Sequence, residues 1–200
     1  MVWIWPAALA LAACGGGGGG GGGSGIDPRL ARLDIYEAQK HRVLGETGAG
    51  VVGMPLTDHG AMPTSGTAEF EGHVSIRVEA ATPLVLFGDV GISVTFDTVQ
   101  VAGQMDAFFG TNSSGQVVDY AGAVTIDDGT IGASAANDLT LAYGGALTTA
   151  GDVLIFDGTA TGSFLGTPIG AVSLSELEAV VDHNGVAADA TLVIIAETVP

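Results

Sequence analysis

The chain has 200 residues, enough for one domain with appendages, and its 22 acidic against 5 basic side chains give a net charge of −17. That balance repels phosphate backbones and anionic headgroups, which argues against a nucleic-acid partner. The single cysteine, Cys14, excludes an intrachain disulfide and a multi-cysteine zinc site.

The first 13 residues are wholly apolar up to Cys14. As a helix they would span about 20 Å, too short for a hydrocarbon core of about 30 Å. The length suits the apolar region of a secretory signal peptide. Leu11-Ala12-Ala13-Cys14 resembles the bacterial lipobox, in which small residues admit the peptidase and the cysteine thiol carries the lipid. The missing Lys or Arg before the apolar run departs from that pattern, and an ordinary secretory signal with a chance cysteine is the plainer alternative. Residues 14–25 then read as an acylated cysteine and a tether. Gly15 to Gly23 is unbroken polyglycine, which has nothing to bury and the most backbone entropy to lose. By resemblance to lipoprotein sorting, Gly15 rather than Asp after the cysteine implies the outer membrane, on its surface or periplasmic face. The expected membrane partner is therefore reached through a lipid anchor such as palmitate.

Residues 26–61 read as a short helix and linker. Asp27-Pro28 is an N-cap followed by proline at the first helical position, and Gly45 is a stop. Leu30, Leu33, Tyr36, Val43 and Leu44 share one side of the wheel, interrupted by Glu37 and Lys40, which predicts a half-buried helix. Arg29, Arg32, Lys40 and Arg42 cluster here, and Arg77 is the only basic residue from position 43 onward. The cluster suits either a solvated face or contact with anionic lipid.

From Met62 the period becomes two. Val74, Ile76 and Val78 alternate with polar neighbours. So do Ile92, Val94 and Phe96; Val99, Val101, Gly103 and Met105; Val118 through Ile126; Leu139 through Tyr143; Leu154 through Phe164; and Val186 through Ile194. Turn signals separate the runs at Asn112-Ser113-Ser114-Gly115, Asp127-Asp128-Gly129, Gly144-Gly145, Gly151-Asp152 and Asn184-Gly185. Between Val172 and Val181 the apolar parity changes, which predicts a bulge near Ser175-Glu176. The expectation is all-β: about eight antiparallel strands over 62–200, closed into a barrel to remove sticky edges. Small inward residues (Gly122, Gly158, Ala160, Gly162, Ala188, Ala190) suit a narrow interior. Aromatics are too sparse for the two girdles of a spanning barrel.

Met62 to Gly72, with its Gly-x-Ala-x-Phe-x-Gly pattern, resembles the opening strand of transferrin-binding protein B-like barrels. Val94-Thr95-Phe96-Asp97 with Val99 and Gly103 resembles their next hairpin, Gly158 to Pro168 a later strand, and Ala190 to Glu197 the last. The resemblance covers 62–200. It implies a bacterial surface lipoprotein whose barrel is a binding module for a protein or an iron- or haem-bearing ligand. It does not imply transferrin binding, because the handle domain and long loops of those receptors have no counterpart here. An envelope lipoprotein with no soluble ligand is the other reading.

Chemistry is sparse. The four histidines are scattered, with no metal-ligand spacing on one element. Haem binding by some barrels of this class makes His59 and His183 the ligands to test; solvated loop histidines are the plain alternative. Asp127-Asp128-Gly129 has calcium-type oxygens but suits a turn equally. No nucleophile motif occurs, so neither a catalytic residue nor a cofactor is expected, and the chain reads as a binding protein rather than an enzyme.

Overall fold

The computed structural model describes residues 27–132 and 137–199; Cys14 and the tether lie outside them. Helix α1 (Pro28–Leu44) begins where the Asp27 carboxylate accepts the Arg29 backbone N–H at 3.0 Å, and ends at Gly45, whose φ of 77° with ψ 174° is open to glycine. A two-residue hairpin, β1 (Gly45–Glu46) with β2 (Val51–Val52), turns the chain back.

The strands that follow are β3 (Thr67–Val78), β4 (Leu84–Thr95), β5 (Gln100–Thr111), β6 (Val117–Asp119), β7 (Ala121–Ile131), β8 (Asp138–Thr149), β9 (Asp152–Leu165), β10 (Ala171–His183) and β11 (Val186–Thr198). Each long strand pairs antiparallel with its long neighbours in sequence, short β6 pairs with the end of β5 just ahead of β7, and β11 closes on β3 from Ala190↔Val78 to Thr198↔Phe70. The result is a closed eight-stranded meander barrel. Closure leaves no strand edge along the wall.

Period-two burial is what makes it a barrel with a solid interior. Phe70, Ile76, Leu86, Ile92, Met105, Leu141, Phe156, Phe164, Leu174 and Leu192 all point inward and are buried. Phe70 and Phe96 each tilt against Phe164 with ring centroids 6.0 Å apart, filling one end. Outward positions are instead mostly Thr, Ser, Asp, Glu, Gln and Ala. A spanning barrel has the opposite polarity, apolar outside and polar within. This wall therefore faces water.

Two sequence expectations need correcting. Gly144-Gly145 is not a turn but the middle of β8, paired with Asp157 and Phe156 of β9. Asp127-Asp128-Gly129 is also not a turn: it is a bulge within β7, where the register slips between Ile126 and Asp128. Glycine and aspartate signal irregular backbone, and irregularity inside a strand leaves the same sequence mark as a turn. The predicted parity change in β10 is present, with the register slipping between Glu176 and Ala179. Turns at Asn112–Gly115, Gly151 and Asn184-Gly185 stand as expected. The run from Val118 to Ile126 is split at Tyr120 into β6 and β7.

Candidate functional site

Helix α1 lies on the outside of the barrel. Its buried residues are Tyr36, Gln39 and Val43, with Arg32 one turn earlier, so the docked stripe is mostly polar. Leu30 and Leu44, expected in the stripe, are exposed. The helix is docked by charge and hydrogen bonds more than by an apolar face. Arg32 donates to Asp89 of β4 at 3.0 Å and to the Ala107 carbonyl at 2.9 Å, and its guanidinium lies 4.6 Å from the Phe109 ring centroid. Arg42 donates to Glu197 of β11 at 2.6 Å, which holds the Glu197 carboxyl below its usual range. Arg29 donates to the Val117 carbonyl at 3.2 Å. Three of the four basic residues, Arg29, Arg32 and Arg42, are thus turned onto the acidic barrel, and Lys40 is exposed.

A strand bulge prepares this platform. Ala107 has φ 48°, and the β4–β5 register slips there, pairing Asp89 with Asp106 but Phe87 with Phe109. The slip reverses parity, so Phe108 points inward and Phe109 outward beneath Arg32. His73 of β3 is outward by parity yet buried, stacked on Tyr36 with centroids 4.8 Å apart and bonded through Nδ1 to the Gln39 amide oxygen at 2.8 Å. Burial, then the Lys40 charge, depress its pKa to about 4, against the opposing pull of Asp89. The Tyr36 hydroxyl donates to Asp89, and burial followed by that bond raises its pKa.

Beside α1 runs a shallow groove formed by two contiguous hollows of about 610 and 450 Å³. One wall is α1 with Ile35 and Arg42. The floor is the outer face of β3, β4 and β5 around Gly91, and Val199 lies at one end. Outward residues align across these strands in the rows His73–Asp89–Asp106, Glu71–Gly91–Gln104 and Glu69–Ser93–Ala102. Gly91 leaves the middle row without a central side chain.

His183 and His59 are not brought together. The His183 Nε2 bonds the Asp152 carboxylate at 2.8 Å at the start of β9. His59 is exposed in a turn two residues past Thr57, whose N–H bonds the Phe164 carbonyl at the other end of β9. About 40 Å of strand separates them. Asp152 also accepts the Ser113 N–H at 3.0 Å and is 1% exposed. Burial alone would raise its pKa; the hydrogen bonds from Ser113 and His183 outweigh it and leave the carboxyl below its usual range. This pair ties three hairpins together at the barrel mouth. Among the described residues no group of three or more His, Cys, Asp or Glu is placed to hold a metal ion, and no helix is long and apolar enough to cross a membrane.

The sequence pointed to the loop histidines and Cys14 but missed the groove, because its floor is defined by cross-strand register and by a helix docked from outside the repeat pattern. The one legible signal was Gly91, a glycine inside an alternating strand. No protein-family model matches the chain, and no curated protein matches it. The fold and groove define a class only: a closed, water-facing meander barrel with a helix strapped to its outer wall.

Proposed function

We infer that this is a lipid-anchored barrel of the transferrin-binding protein B-like kind, tethered through Cys14 to the outer membrane and presenting its wall to a protein partner. The observation that carries this is the packed interior. A barrel whose lumen is filled by Phe70, Met105, Phe156 and Phe164 leaves no room for a ligand between those described residues, so recognition falls to the outer surface. The groove beside α1 is the concave part of that surface. Haem has less support than protein, because His59 and His183 lie at opposite ends of β9.

The lipobox-like Leu11-Ala12-Ala13-Cys14 and the polyglycine run support the tether. Helix α1 starts at Pro28, capped by Asp27, with Arg29 against the β6 end of the barrel. Mass spectrometry of the mature chain tests the anchor: its first residue should be Cys14 carrying diacylglyceryl and N-acyl groups, and Cys14→Ser should move the protein out of the membrane fraction. An unmodified thiol would overturn the reading.

A further inference from the structure

The groove has two properties that together select an occupant. Its floor is low and lined by small residues, Gly91, Ser93 and Ala102, and Ile35 overhangs it from α1 with 64% of its surface exposed. Its rim is acidic, with Glu69 and Glu71 on one side and Asp106 on the other. Of the α1 cations, Arg42 lines the groove and is already bonded to Glu197, while Lys40 lies outside the lining on the His73 side; Arg77, the only later basic residue, is bonded to Glu79. Glu69 accepts a hydrogen bond from Ser93 at 2.7 Å, and neither it nor Glu71 has an ion pair among the described residues.

We propose that the groove binds an extended polypeptide segment carrying lysine or arginine at every second position. The claim rests on the reading of the barrel wall as the recognition surface and names what that surface takes. A lysine or arginine stem is apolar and its head is cationic, so the stem covers the floor while the head reaches the rim. Glu69 and Glu71 are two residues apart on one strand face, about 7 Å, the same repeat as alternate side chains of an extended chain lying alongside. The three rows from Asp106 to Ala102 accommodate about five residues of such a chain. Gly91 supplies the clearance: a Cβ built there meets nothing within 4 Å. A second copy of this chain is a poor occupant, since both surfaces carry the same strong negative charge.

Fluorescence anisotropy of a labelled Lys-Ala-Lys-Ala-Lys peptide against the full chain in detergent tests this. Binding should saturate and weaken with salt. Gly91→Trp, which fills the notch on unstrained backbone, should weaken it at least about tenfold, and Glu69→Gln and Glu71→Gln about two- to fivefold each. Unchanged thermal midpoints would show that all three variants fold; if Gly91→Trp fails this check, Gly91→Leu replaces it, and a failing Glu69→Gln or Glu71→Gln is replaced by alanine at the same position. Absence of binding overturns the proposal. So does equal binding of a Lys-Lys-Lys-Ala-Ala peptide or of spermidine, or indifference to the Gly91 substitution, since each outcome means a diffuse acidic surface. Acylation of Cys14 is read separately by mass, so a failed anchor and an empty groove are distinguishable.

Discussion

Gly158 of β9 sits directly opposite Tyr143 of β8, and the space of its missing side chain is occupied by the Tyr143 phenol. A Cβ at Gly158 would come within 2.5 Å of the tyrosine oxygen and 2.7 Å of Glu176 Oε2. The phenol donates to Glu176 at 2.6 Å, and the same carboxylate accepts the Thr159 N–H at 2.9 Å. This repairs the ladder where the β10 bulge pulls away from β9. Burial, then the bond to Glu176, raise the Tyr143 pKa. Gly158→Ala should therefore destabilise the barrel by about 1–3 kcal/mol through overpacking. In urea unfolding, the double variant with Tyr143→Phe should cost less than the sum of the two single variants, because the first change already displaces the hydroxyl. Strict additivity would show that the two positions are independent.

His73 gives the stability a pH dependence of known sign. Its folded pKa of about 4 lies below the ordinary 6.5, so folding favours the neutral ring. The groups facing it are Tyr36, Gln39 and Lys40 from α1 and Asp89 from β4, with Ile195 of β11 on the other side. Above pH 6.5 both states are neutral and the contribution is whole. Between 6.5 and 4 the unfolded chain binds a proton that the folded chain refuses, and stability falls by at most about 3 kcal/mol. His73→Phe keeps a ring against Tyr36 and should flatten this part of the stability–pH curve in chemical denaturation. An unchanged slope would remove His73 as its source.

Legibility in the sequence followed the physics of each feature. Inward residues were readable because alternation is local: Val74, Ile76 and Val78 need only their own strand to declare a buried face. Closure was readable only indirectly, from strand number and the cost of edges. The docking of α1 was not readable, because Tyr36, Gln39 and Val43 do not make an apolar stripe, and their partners His73, Asp89 and Glu197 are set by register. The same holds for the groove, whose rows combine residues of β3, β4 and β5 that only cross-strand register brings side by side. His183 reads in the sequence as a loop histidine, and its partner Asp152 reads only as half of a Gly-Asp turn.

Asp152 should behave as a buried anchor of the mouth. Its two oxygens serve Ser113 N–H and His183, and no water-facing alternative is open to a side chain 1% exposed. Asp152→Ala should cost about 2–3 kcal/mol by leaving those donors unpaired. Hydrogen exchange should quicken at Ser113 and around Asn184. Because the folded carboxyl titrates below its ordinary value of 3.8, the stability it confers is present above that pH and is lost as the pH falls through the folded pKa. Unaltered exchange at Ser113 would mean the turn is held by Asn112 alone, whose side chain accepts the Ser114 and Gln116 N–H groups.

Thr57 makes the opposite case. Its hydroxyl is buried with no hydrogen-bond partner among the described residues, while its backbone is fully used, the N–H by Phe164 and the carbonyl by Asn137. An unpaired buried hydroxyl costs about 1–3 kcal/mol, and replacement by an apolar isostere removes that cost. Thr57→Val should be neutral or stabilising by about 1 kcal/mol in thermal or urea unfolding. A loss of stability would reveal a partner for the hydroxyl.

Asp89 should decide whether α1 stays docked. It receives both the Tyr36 hydroxyl and the Arg32 guanidinium, while the helix contributes Val43 alone to the small apolar cluster with Leu165, Ala171 and Ile195. Removing the charge leaves Arg32 without its anion beneath a half-exposed helix, a loss of about 1–3 kcal/mol for a hydrogen-bonded charge. The barrel wall itself does not depend on this contact, since β4 remains paired on both sides. Asp89→Asn should thus loosen the helix without melting the sheet: trypsin should cut earlier at Lys40 and Arg42, and the strand signature in circular dichroism should be unchanged. Ala-for-Tyr36 replacement should do the same and also expose His73, moving its pKa back towards 6.5 in NMR titration. Cleavage at Lys40 no faster than in the parent would place the hold on α1 elsewhere, at Arg42–Glu197 and Val43.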